Sequence, residues 1–302
     1  MKKVTYLALV FMIFAISCQN DDDVTTIPVR DRGEVFTENI AALEAYLSTH
    51  TYNYEDYDPA DPSDFEIVID TITAANADRI PLIDRPELER LSVSRNDVDY
   101  EYFVLNVRQG EGTPEPTFAD STLVSYRGFT LNGNSFDSAI NPVWLDLTSS
   151  IEGFALSLSR FNPASNSVQN PDGTLTFENS GVGAMFIPSG LAYFNNPPVV
   201  SIAPYIPLIF TFQLRSVEDT DHDGDGILSI FEDVNNDGTL RSPDGDDTDE
   251  DRRFNYLDAD DDGDGIPTRD ENPDPNGDGN PDDALDSDND GLPDYLDNRT
   301  EV

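Results

Sequence analysis

The chain has 302 residues, with 60 Asp or Glu against 17 Lys or Arg and a formal net charge of -43. Such acidity excludes a nucleic-acid-binding surface, which needs Lys and Arg to meet phosphates, and a hydrophobic content of 37% is low for one compact globule. The single cysteine, Cys18, excludes an intramolecular disulfide.

Lys2 and Lys3 open a segment with a basic start and an apolar run from Val4 to Ile16, ending at Ser17. This reads as a secretory signal, too short for a membrane span. Ala15-Ile16-Ser17-Cys18 resembles a bacterial lipobox, which implies lipidation of Cys18 and a membrane anchor. Gln19 to Asp23 resembles the acidic export tag of surface lipoproteins of the Bacteroidota, although an acidic linker has the same composition. The implied location is the outer membrane, facing the periplasm or the exterior. The division read from composition is a signal peptide over 1–17, a tether over 18–34, an N-terminal support region over 35–96, a central domain over 97–218 and an acidic tail over 219–302.

In the support region Phe36, Ile40, Leu43 and Leu47 recur at helical spacing and predict a helix over about 36–48. Pro59 and Pro62 break the chain after this helix; Phe65 to Ile72 reads as a strand, and a short helix is expected near Leu88. Strands are expected over Tyr100–Val107, Thr122–Leu131, Val182–Ile187 and Leu208–Val217, with a further piece at Leu145–Leu147 and a short helix over Ile151–Leu158. Several antiparallel strands around one helix predict an α+β half-barrel. Arg160 to Ser180, rich in Asn, Pro, Ser and Gly, reads as an inserted loop.

Within the central domain, a strand reaches a turn at Asn132-Gly133-Asn134 and resumes with Phe136 beside Asp137, an apolar wall next to a carboxylate. Tyr126-Arg127-Gly128, Phe136-Asp137-Ser138, Ile151-Glu152-Gly153-Phe154, Ile187-Pro188-Ser189, Leu191-Ala192-Tyr193 and Leu208-Ile209-Phe210 come one after another in the order seen in FK506-binding-protein type peptidyl-prolyl isomerases. Residues 97–218 resemble that family. The resemblance implies a proline pocket lined by Tyr126, Phe136, Asp137, Ile151, Phe154, Tyr193 and Phe210, with Phe154 in place of a floor tryptophan and Tyr193 donating to a substrate carbonyl. A further wall residue falls near Val143 or Trp144. Phe194 replaces the usual glycine after Ala192-Tyr193. The implied substrates are Xaa-Pro segments of exported proteins, with no cofactor for catalysis. The alternatives are a non-catalytic module that holds proline-containing segments, or a surface protein whose acidic tail is the functional part. The resemblance extends to gliding-motility-associated lipoproteins.

In the tail a short repeat recurs about every 13 residues. Asp221, Asp223, Asp225, Gly226 and Glu232 fall at positions 1, 3, 5, 6 and 12 of an EF-hand-type loop, where alternate carboxylates and a terminal one surround Ca2+. Asp233, Asn235, Asp237 and Asp244 form the next loop. Asp247, Asp249, Asp251 and Asp258 form a degenerate one with Arg252 at the glycine position. Asp260, Asp262, Asp264 and Glu271 make the fourth, then come Asp274, Asn276 and Asp278, and finally Asp286, Asp288, Asp290 and Asp297. Random acidity would not keep glycine and an apolar residue in phase with the aspartates. The spacing leaves no room for long flanking helices and resembles thrombospondin type 3 repeats, which implies structural Ca2+ and disorder without it.

Overall fold

The structure, a computed structural model, describes residues 28–63, 65–241 and 245–299. The signal segment, Cys18 and Asp244 lie outside the described residues. The chain divides into Met1–Arg30 and a second compact unit from Asp31 onward.

Helix α1 (Arg32–Thr49) starts where the Asp31 carboxylate accepts a hydrogen bond from the Glu34 amide at 2.8 Å, an N-cap that satisfies one free amide of the first turn. It buries Val35, Asn39, Leu43, Tyr46 and Leu47, so an amide side chain joins the apolar face expected from the periodicity. The strand expected over Phe65–Ile72 is shorter: β2 (Ile69–Thr71) pairs antiparallel with β1 (His50–Tyr52).

The main sheet holds six antiparallel strands. They are β3 (Leu88–Arg95), β4 (Val98–Arg108), β5 (Ser121–Thr130), β6 (Ser135–Asp146), β9 (Gly181–Ile187) and β10 (Leu208–Glu218). Their spatial order is β3-β4-β9-β10-β5-β6. Helix α2 (Glu152–Leu158) packs on one face. The observed class is therefore the expected α+β arrangement of an antiparallel sheet on one short helix.

Two expectations are corrected. The short helix near Leu88 is strand β3, paired residue for residue with β4 from Leu88↔Leu105 to Arg95↔Val98. The fragment at Leu145–Leu147 belongs to a twelve-residue strand, β6, that ends at Asp146; Leu147 opens a 3-10 turn. Pro142 is accommodated because β6 lies at the sheet edge, where a strand can present a residue without an N–H.

Central strand β9 is buried along its whole length and serves two cores by alternation. Met185 and Ile187 face α2 together with Phe154, Leu158 and Phe212. Ala184 and Phe186 face Leu43 and Leu47 of α1. Side chains of a strand point to opposite faces in turn, so β9 can only be covered if a helix lies on each side. The inserted segment is an ordered hairpin of β7 (Asn166–Gln169) and β8 (Leu175–Glu178). Its Phe177 is buried, with the Arg215 guanidinium 5.5 Å from the ring centre.

Beyond β10 the tail consists of short loops and isolated 3-10 turns, among them Ser229–Glu232, Asn255–Leu257 and Thr268–Asp270. It packs on the central domain through Ala119, Leu240 and Tyr256. Arg95 also donates to the Gly238 carbonyl at 3.0 Å. Among the described residues no helix is long and apolar enough to cross a membrane.

Candidate functional site

The hollow on the α2 side of the sheet is built by three strands and the start of one helix. Register sets Phe210 of β10 opposite Gly128 of β5, and Gly128 opposite Asp137 of β6. A Cβ at Gly128 would lie 2.7 Å from the rings of both Phe136 and Phe210. The missing side chain is what lets the two rings meet over the strand. They cross edge to face with centroids 5.4 Å apart at 87°. Phe210 also meets Phe154 at 5.3 Å and 82°, and Tyr126 meets Phe154 at 5.9 Å and 75°. Edge-to-face pairs of this kind add to simple area burial.

Six of the seven predicted pocket residues, Tyr126, Asp137, Ile151, Phe154, Tyr193 and Phe210, line one cavity of about 500 Å3, within the range of ligand pockets. Phe136 stands behind Phe210 and fixes its ring instead of lining the cavity. The wall expected at Val143 or Trp144 is supplied by Leu145. Trp144 is half exposed, as side-chain alternation along β6 requires once Leu145 faces inward. Ser149, Ser150, Glu152 and Ala192 complete the lining. Glu152 and Ala192 belong to the quoted motifs, whereas the only sequence signal for Ser149 and Ser150 was proximity to them.

Polar contacts are few. The Tyr126 hydroxyl donates to Asp137 Oδ2 at 2.7 Å. Burial, then that hydrogen bond and the Asp137 charge, hold the Tyr126 phenol well above its usual range. Tyr193 is raised as well, by burial first and Asp137 second. Both hydroxyls therefore stay protonated at neutral pH.

The loop that carries Tyr193 is clamped by helix α1. Asn39 Oδ1 accepts from the Ser189 amide at 2.7 Å, and Asn39 Nδ2 donates to the Tyr205 carbonyl at 2.9 Å. The Phe194 amide donates to Ser189 O at 2.9 Å, and the Tyr205 amide donates to Phe194 O at 2.7 Å. Nothing in the helical periodicity of α1 singled out Asn39.

Phe194 itself has φ of 49°, the left-handed conformation that glycine adopts without penalty. Its ring packs edge to face on Tyr205 at 5.0 Å, beneath the Arg32 guanidinium at 4.3 Å. It keeps the backbone shape of the expected glycine and turns its bulk away from the cavity. No residue of 160–180 lines the cavity either.

In the tail several repeats close on themselves in the same way. Asp221 accepts from the amides of Gly224 and Gly226, Asp223 from Asp225, and Asp225 from Ile227. Asp233 with Asp237 and Gly238, and Asp286 with Asn289 and Gly291, repeat the pattern. Gly226, Gly238, Gly265, Gly279 and Gly291 all have φ between 79° and 109°. Arg252 takes φ of 82° at the same place, so the degenerate loop keeps the fold of the others. The carboxylates of Asp221, Asp223 and Asp225 approach within 4.8 Å of one another, as do those of Asp260, Asp262 and Asp264, and those of Asp247, Asp249 and Asp251.

Many of these oxygens are buried without a hydrogen-bond partner, including Asp223 Oδ2, Asp247 Oδ1, Asp260 Oδ1, Asp262 Oδ2 and Glu271 Oε2. Burial and then neighbouring carboxylates push Asp223 up to about 7 and Glu271 up to about 8. Isolated buried carboxylates are strongly unfavourable, and crowded oxygen donors without nitrogen or sulfur suit a hard cation. The residues present fit Ca2+.

The family described as BamM C-terminal matches residues 222–284. No curated protein matches the chain in sequence. Among solved structures, a peptidyl-prolyl cis-trans isomerase from Pseudomonas syringae pv. tomato is 23% identical, covering 45% of this chain and 84% of its own, at a TM-score of 0.34. FkpA from Escherichia coli is 22% identical over 45% of this chain and 53% of its own, also at 0.34; the match thus spans about half of FkpA. The N-terminal domain of FKBP42 from Arabidopsis thaliana is 14% identical over 45% of this chain and 98% of its own, at 0.32.

Proposed function

We propose that this chain is a peptidyl-prolyl cis–trans isomerase acting on Xaa-Pro segments of exported proteins. Support comes from one observation above all. Tyr126, Phe154 and Phe210 pack edge to face around a cavity of about 500 Å3 whose rim carboxylate, Asp137, is already engaged by the Tyr126 hydroxyl.

Rotation about the Xaa-Pro bond faces a barrier of about 18–20 kcal/mol, set by amide resonance. No bond to the substrate breaks, so neither nucleophile nor acid–base pair is needed. Twisting the imide reduces its charge separation. A water-poor aromatic pocket therefore stabilises the twisted form more than the planar one. Tyr193 donates to a substrate carbonyl and sets the chain direction. Asp137, held by Tyr126, orients the substrate at the rim and is not a general base.

On this reading Cys18 carries the lipid that anchors the protein to the outer membrane, with the pocket facing the periplasm or the exterior. The tail carboxylates, from Asp221, Asp223 and Asp225 to Asp286, Asp288 and Asp290, hold Ca2+, which neutralises their mutual repulsion and orders the repeats.

The test is cis/trans exchange of a succinyl-Ala-Ala-Pro-Phe-type peptide, measured with and without FK506. Acceleration over the uncatalysed rate, suppressed by the drug, is expected. A folded sample that binds proline peptides without accelerating exchange would leave a holding module in place of an enzyme.

A further inference from the structure

Among the described residues, three carboxylate clusters of the tail each belong to a single loop, at its first, third and fifth positions, and a further one joins Asp233 and Asp237 to Asp246 just beyond their loop. Another cluster joins two loops distant in sequence. Asp225, Glu232 and Asp261 each bring a carboxylate oxygen within 4.8 Å of the others. Asp225 and Glu232 come from the first loop. Asp261 comes from the fourth, between its first and third ligand positions, where the repeat pattern assigns no ligand.

These three side chains are 1%, 2% and 2% exposed. Both oxygens of Glu232, both of Asp261 and Oδ2 of Asp225 make no hydrogen bond. Among the described residues no ion pair reaches any of the three. Local hydrogen bonds hold two of them: the Asp261 amide donates to Thr268 Oγ1 at 3.1 Å, and Asp225 Oδ1 accepts from the Ile227 amide at 2.8 Å. Asp225 and Asp261 are thus held in place by their own turns. Five unpartnered oxygens in a space closed to bulk water call for a positive charge. Nearby Asp223 Oδ2 is buried and unpartnered as well.

We propose that Asp225, Glu232 and Asp261 form one divalent-cation site, taking Ca2+, that bridges the loop at 221–232 to the loop at 260–271. The proposal rests on the reading of the tail as cation-binding loops and adds a ligand that joins two loops distant in sequence. The donor set is oxygen alone, which excludes preference for zinc or copper over hard cations. Carboxylates converging from two separate segments suit the larger, irregular shell of Ca2+ better than the strict octahedron of Mg2+. The first loop already packs against the repeat that follows 260–271: the Leu228 amide donates to Gly279 O at 2.9 Å, and the Leu228 side chain occupies the space a Cβ on Gly279 would need. An ion at this point makes the array fold as a unit, because ordering one loop supplies ligands to another.

The experiment uses the full chain, with Ca2+ titrated by calorimetry, bound ions counted by native mass spectrometry, and backbone protection measured by hydrogen exchange. Asp261→Asn is expected to remove one bound ion or weaken it about 10- to 100-fold, and to release protection in residues 221–232 as well as 260–271. Asp261→Glu keeps the charge but displaces the carboxylate, and is expected to weaken the same ion. Glu232→Gln should lose that ion too, with no further loss in the Glu232→Gln/Asp261→Asn double variant. Asp270→Asn, an equal charge change at an exposed position, should leave the count unchanged. If both Asp261 variants bind as the wild type does while Glu232→Gln loses an ion, the first loop closes without Asp261 and the bridge is wrong. Absence of any Ca2+ binding to the wild-type chain would overturn the bridge together with the reading of the tail.

Discussion

Replacing Asn39 by Ala tests whether helix α1 positions the pocket or merely covers the sheet. The side chain is 4% exposed and closes two hydrogen bonds, from Ser189 N at 2.7 Å and to Tyr205 O at 2.9 Å. Truncation takes the acceptor from the buried Ser189 amide and removes the bond to the Tyr205 carbonyl. At about 1–3 kcal/mol for a buried group left unsatisfied and about 0.5–1.5 kcal/mol for a hydrogen bond lost, the loss is about 1.5–4.5 kcal/mol, a large share of the roughly 5–15 kcal/mol available to a folded domain. The same two bonds fix both ends of the loop that presents Tyr193. A displacement of about 1 Å at a positioning group costs up to about 100-fold in rate. Urea denaturation gives the first quantity, and proline-isomerisation kcat/KM, normalised to folded protein, gives the second. Leu43→Ala is the comparison: it opens a cavity under the same helix and costs about 2–5 kcal/mol without touching the loop. The positioning role is refuted if Asn39→Ala and Leu43→Ala lower stability equally and leave kcat/KM per folded molecule the same.

The geometry sets three further outcomes. Asp137→Ala is expected to lower kcat/KM by up to about tenfold, the worth of one orienting hydrogen bond, while its effect on melting temperature stays small because Asp137 is exposed; a loss approaching complete inactivation would instead point to acid–base chemistry. The isomerase rate should be flat from about pH 6 to 9. The phenols of Tyr126 and Tyr193 are both raised by burial and by Asp137, so their O–H forms persist beyond the ordinary phenol value of about 10, and whatever they contribute is lost only above it; a bell-shaped profile in that window contradicts the assignment. Arg252→Gly should raise the thermal stability of the tail by about 1 kcal/mol, the penalty of a left-handed backbone in a residue with a Cβ, since φ there is 82° and the side chain is exposed. Differential scanning calorimetry in saturating Ca2+ measures it, and unchanged or lower stability means the arginine makes a compensating contact.

Periodicity and local chemistry sufficed for β4, β5, β9, β10 and α2, because each is buried on at least one face and its residues must alternate or recur accordingly. The same source placed the repeat glycines, which the structure shows at positive φ. The resemblance to FK506-binding-protein type isomerases, and not periodicity, named the aromatic and carboxylate residues that surround the cavity. Periodicity failed at the sheet edges. Leu88–Arg95 alternates only in part between half-buried and exposed positions, and Asn141-Pro142 within β6 reads locally as a break. Edge strands carry weak patterns because only one neighbour and one face constrain them.

What tertiary structure alone decided is which distant groups meet. Phe194 stands where the resemblance expects glycine; the contact with Tyr205 and Arg32 turns its ring away from the cavity. Asn39 belonged to an amphipathic helix until the Ser189–Tyr205 loop docked on it. Asp261 stood between two ligand positions of its own loop, and only packing against the first loop buried its carboxylate beside Asp225 and Glu232. Local sequence fixes the direction of a side chain relative to its own turn. Whether that direction ends in water, in another ring or in a cluster of like charges depends on segments far along the chain, and no short-range pattern encodes it.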